Sequence, residues 1–63
     1  MSAQDIRVKL IAASQAHEAA YVALRADPTS AEKLGAARDS ERTLNALRGA
    51  LREAERKEAE ARR

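Results

Sequence analysis

Cysteine is missing from this chain of 63 residues. Neither a disulfide nor a thiolate zinc site can therefore hold it together. Phenylalanine and tryptophan are missing too, and Tyr21 is the only tyrosine. That removes the stacking platforms on which single-stranded nucleic-acid binders rely. Two glycines and one proline leave no glycine-rich phosphate loop and few places for the backbone to turn. Strand formers such as Val, Ile, Thr, Tyr and Phe are scarce, which speaks against a sheet. No apolar run approaches the roughly 18 residues that cross a bilayer. The opening MSAQDIRVKLIAAS has an early Asp5 and no basic stretch ahead of an apolar core, so neither a signal peptide nor a membrane anchor is expected. The expected location is cytoplasmic. A strong charge of one sign is also lacking, since 12 basic and 10 acidic residues leave a net +2. That surplus is no large field for polyanions.

What the chain does have is helix formers. Ala, Leu, Arg, Lys, Glu and Gln dominate. Of its apolar residues sixteen are alanine, and only twelve are larger. Such a chain builds a thin core, and self-association or a partner is expected to complete it. The one strong break is Ala26-Asp27-Pro28-Thr29-Ser30. Proline fixes its own φ and disfavours helix in the residue before it. Ser2 is the expected cap of a first helix, with Asp5 in its first turn. Thr29-Ser30-Ala31-Glu32 predicts a capping box, with Thr29 as cap and Glu32 reaching back. The fold class is all-α: an antiparallel two-helix hairpin with helices at about 3–26 and 30–61, joined by a turn at 26–29. Residues 1–63 form a single domain. Hairpins of this kind are expected to assemble into a four-helix bundle or a larger helical oligomer.

Helical periodicity of ~100° per residue sorts the faces. Ile6, Leu10, Ala13, His17, Ala20, Tyr21 and Leu24 make one stripe of helix one, facing helix two. On helix two Leu44, Leu47, Leu51 and Ala54 make the answering stripe, with Leu34 at its edge. A fold axis near Pro28 sets residue j opposite roughly residue 56 − j. Ile6 then meets Leu51, Leu10 meets Leu47, Ala13 meets Leu44, and Leu24 meets Leu34. Tyr21 falls beside Gly35 and Ala36. On that register the charged segment 55–63 has nothing opposite it. It is expected to be an exposed, fraying helical end held by Glu53–Lys57, Arg56–Glu60 and Glu58–Arg62. Helix one carries a second apolar stripe on roughly the opposite side: Val8, Ile11, Ala12, Ala19 and Val22. A helix apolar on two sides is usually buried between neighbours, so these five residues are the expected oligomer interface.

Candidate chemistry is sparse. His17, the sole histidine, is expected to be a partly buried structural residue rather than a metal ligand. No cysteine and no serine–base–acid arrangement supports nucleophilic catalysis. A two-helix hairpin also offers no enzyme-sized cleft. The chain is therefore expected not to be an enzyme, with no cofactor, metal or small-molecule substrate. On helix two Arg38, Arg42, Arg48, Arg52, Arg56 and Arg63 fall within about 120° on the wheel, away from the leucines. Three i,i+4 arginine pairs in this set place like charges together, which a phosphate backbone or an acidic protein would offset. Glu41, Glu55 and Glu60 border the stripe.

Two resemblances stop short of assigning a family. Ala16-x3-Ala20-x2-Ala23-x4-Pro28 is similar in spacing to the end of a tetratricopeptide repeat, over about 13 residues. It lacks the aromatic expected at Ala20, and the chain is too short for stacked repeats. The overall shape resembles Rop-type RNA-binding hairpins, in architecture alone. The function expected is a small helical adaptor, regulator or inhibitor, in the style of bacterial or phage accessory proteins. It would act as a homo-oligomer docked on a protein partner. The alternatives are a nucleic-acid-binding hairpin dimer using the arginine stripe and a small structural subunit of a larger particle.

Overall fold

The computed structural model describes residues 2–62. Helix α1 spans Ala3–Ala26 and helix α2 spans Ala31–Ala61; no strand occurs among the described residues. At the start of α1 the Ser2 hydroxyl accepts from the Asp5 amide at 3.2 Å. That satisfies one of the donors a helix N-terminus leaves unpaired. The amide of Ala3 finds a more distant acceptor, Glu58 Oε1 of α2, at 3.1 Å. A carboxylate there also meets the positive end of the α1 dipole.

Asp27 ends α1. Its backbone, with φ −144° and ψ 75°, has left the helical region that the residue before a proline avoids, and its amide is shared between the carbonyls of Ala23 and Leu24 at 3.2 and 3.1 Å. The cap of α2 is Ser30 rather than Thr29, since the Ser30 hydroxyl accepts from the Lys33 amide at 3.2 Å. Thr29 turns back instead and donates to Asp27 Oδ1 at 3.4 Å. Lys33 Nζ reaches Asp27 Oδ2 at 3.5 Å. The cap is thus displaced by one residue from the expected Thr29. The predicted capping box does not form, since the third residue after Ser30 is Lys33 and no carboxylate among the described residues reaches back to the cap.

Burial follows a 3–4 spacing on both helices, the pattern of a coiled-coil seam. On α1 it picks out Ala3, Ile6, Leu10, Ala13, His17, Ala20 and Leu24; on α2 Lys33, Ala37, Ser40, Leu44, Leu47, Leu51, Ala54 and Glu58, with Ala23 and Gly35 half-buried beside them. Only Ala3, Ile6, Ala37 and Leu44 are buried outright. Tyr21 and Leu34, expected in or at the edge of the seam, lie on its flanks at 39% and 37% exposure.

The register is close to the sequence expectation. Helix α1 ends at Ala26 and α2 begins at Ala31, and His17 meets Ser40 across the seam, so residue j lies level with about residue 57 − j, one position from the expected 56 − j. Ile6 is then level with Leu51, Leu10 with Leu47 and Ala13 with Leu44, as expected. The Ala3–Glu58 and Arg7–Glu55 bonds, the latter at 3.1 Å, span about one turn beyond that level, because helical side chains lean toward the N-terminus of their own helix and carry Glu55 and Glu58 back toward the turn. The segment after 55, expected to have nothing opposite it, therefore does reach α1 through Glu58. None of the three expected tail pairs forms among the described residues. Arg56 bonds Glu53 instead.

The result is a rod of 52 × 14 × 14 Å with a radius of gyration of 14.9 Å, against about 11 Å for an ordinary compact domain of this length. No helix of the structure is long and apolar enough to cross a membrane.

Candidate interaction surfaces

The outward face of α1 is uncovered. Val8, Ile11 and Val22 are 59%, 62% and 53% exposed, and Ala12 and Ala19 are exposed with them. All five residues predicted from periodicity lie on the side of α1 turned from α2. Gln15 stands in the middle of this stripe and is also exposed. Its polarity hides it in the apolar pattern, although its spacing from Ile11 and Ala19 places it on the same face. Each buried CH2 is worth about 0.8 kcal/mol. Three branched aliphatics aligned on water therefore leave considerable stabilisation unused.

The second surface is the back of α2. Arg38, Arg42, Arg48, Arg52 and Arg56 are exposed there; Arg63 lies outside the described residues. The charge is partly answered within the helix itself. Arg42 meets Asp39 at 3.6 Å, Arg56 meets Glu53 one turn earlier, and Arg48 donates to Asn45 Oδ1 at 3.5 Å. Arg38 and Arg52 have no ion-pair partner among the described residues. Exposed pairs of this sort are worth little, but they hold acidic oxygens within the stripe and dilute its field.

The third cluster lies inside the seam. His17 is half-buried, with its Nδ1 2.8 Å from Ser40 Oγ, and its ring meets Tyr21 edge-on at 4.6 Å between centroids. The Ser40 hydroxyl hydrogen is committed to the Ala37 carbonyl at 2.8 Å. Ser40 therefore accepts from His17, and the ring proton sits on Nδ1. The sequence placed His17 on the inward stripe; it did not give Ser40, because that contact depends on register. This geometry is that of a satisfied interhelical bond. No third polar group converges on it, and no group of three His, Asp or Glu side chains that could hold a metal ion occurs among the described residues. Nor is there a pocket among them. No protein-family model, no curated protein and no solved structure matches this chain.

Proposed function

We propose that this chain is a small non-enzymatic helical interaction module. It self-associates through the outward face of α1 and presents the back of α2 to a macromolecular partner, as an adaptor, regulator or inhibitor does. The observation that carries the reading is the uncovered line of Val8, Ile11 and Val22 on an otherwise well-formed hairpin. Contiguous exposed apolar surface of this kind marks association sites. A protein partner with acidic groups suits the arginine face better than nucleic acid does, because a net charge of +2 is a small field for a polyanion and Tyr21 is the only aromatic that could stack on bases.

Sedimentation equilibrium of the intact chain tests the reading. A mass of at least twice 6.9 kDa is expected at micromolar concentration. The double variant Val8→Glu/Val22→Glu should shift it toward the single-chain mass and lower the melting temperature. A single-chain mass for the unmodified protein, with melting independent of concentration, would refute self-association.

A further inference from the structure

We infer that the outward face of α1 binds the same face of a second copy, antiparallel, about a two-fold axis passing through Gln15. This inference rests on the self-association reading above and specifies its geometry.

The first argument is the arrangement of residues about Gln15. Val8 and Val22 stand equally far from it on either side, and so do Ile11 and Ala19. A two-fold axis at Gln15 pairs residue i of one copy with residue 30 − i of the other, and reciprocally, so it brings these residues of the face together. In the antiparallel pair Val8 faces Val22 of the second copy, and Ile11 faces Ala19, so a large side chain fills the space above a small one. The two Gln15 amides meet on the axis, where each can donate an N–H to the carbonyl oxygen of the other. A parallel pair would set Ile11 against Ile11 and Ala19 against Ala19, crowding one level and leaving a gap at another.

The second argument is electrostatic. No ionisable side chain lies within the stripe. At the edges the antiparallel register sets Glu18 opposite Ala12, at the border of the stripe, and Arg7 opposite Ala23, so no like charges face each other.

The third argument is shape. The chain is a rod 52 Å long and 14 Å across, and the outward face runs from Val8 to Val22, about 21 Å of helix. A second copy of the same rod, laid antiparallel along it, covers that face over its whole length.

The two apolar stripes of α1 lie about 180° apart on the wheel. The dimer is therefore a single layer of four helices, with the two copies of α1 inside and the two copies of α2 outside. A square four-helix bundle would need those stripes about 90° apart.

The chain has no cysteine, so single introduced thiols report the register. Val8→Cys mixed with Val22→Cys should give a cross-linked dimer under mild oxidation, at least tenfold in excess over Val8→Cys linked to itself. Antiparallel pairing holds the two Val8 positions about 21 Å apart, far beyond disulfide reach. Gln15→Cys should cross-link to itself efficiently, and the mixed experiment keeps Gln15 intact as an independent check. Dominant Val8–Val8 linkage would mean parallel pairing and overturn the inference. An oligomer by sedimentation without the mixed cross-link would overturn it while leaving the self-association reading standing. A single-chain mass overturns both.

Discussion

Ser30 carries the start of α2 on one hydroxyl. Its bond to the Lys33 amide supplies an acceptor that no other side chain of the turn provides. Ser30→Ala is therefore expected to cost about 1 kcal/mol. Thr29→Ala gives up a 3.4 Å bond between exposed groups and should cost less than about 0.5 kcal/mol. Parallel thermal melts decide the matter, and equal costs would mean that the two residues share the cap. Both residue types are good caps, and the spacing from Thr29 to Glu32 is the stronger signature on paper. In the structure Thr29 is instead bonded to the Asp27 carboxylate, which Lys33 also meets. Competition of that kind among neighbours within a few residues is poorly legible in sequence. His17 shows the same limit. Its place on the inner stripe is plain from spacing, but its partner Ser40 is set by how the two helices slide past each other.

At the scale of the helices, α2 carries two weak points. Gly35 and Gly49 both lie in its interior, and neither has a heavy atom within 4 Å of where a β-carbon would stand. Neither has a positive φ, so nothing in the backbone calls for glycine. Gly49→Ala is expected to stabilise by up to about 1 kcal/mol through helix propensity, which is a rise of roughly 4–8 °C in Tm for a domain of this size. Circular-dichroism melts check it, and a lower Tm would show that Gly49 serves a contact made outside the single chain. The helices were legible almost to the residue, because Pro28 and the cap residues punctuate them and periodicity sorts their faces. The register was legible to within about one residue, since the turn at Pro28 sets it: the expected alignment puts His17 beside Asp39, and the structure joins it to Ser40. What the apolar pattern did not give are the polar contacts that reach a turn past that level, Glu58 on the Ala3 amide and Arg7 with Glu55. The outward stripe was legible for the same reason as the inward one, while Gln15 within it was hidden by its polarity.

Taken as one object, the molecule is a zipper closed at Asp27 and Lys33 and fastened at its far end by Glu58 and Ala3, 55 positions apart in sequence. That layout has a kinetic consequence. Closing a loop costs more entropy the longer the loop, so pairing near the turn is the inexpensive place for folding to begin. The Glu58–Ala3 fastening then forms last, after the barrier has been crossed, and loosens first when the hairpin opens. A residue whose contacts are absent from the transition state affects only the rate of unfolding. In stopped-flow chevrons run dilute enough to hold single chains, Glu58→Ala should raise the unfolding arm and leave the folding arm unchanged. Leu24→Ala, close to the turn, should instead slow folding. A slower folding arm for Glu58→Ala would mean that the two ends of the rod meet before its middle is formed. If the far end does loosen first, the two helix ends there part transiently while Asp27 and Lys33 stay joined. Amide exchange at Ala3 should accordingly outpace that at Ala37, although both residues are buried in the closed hairpin.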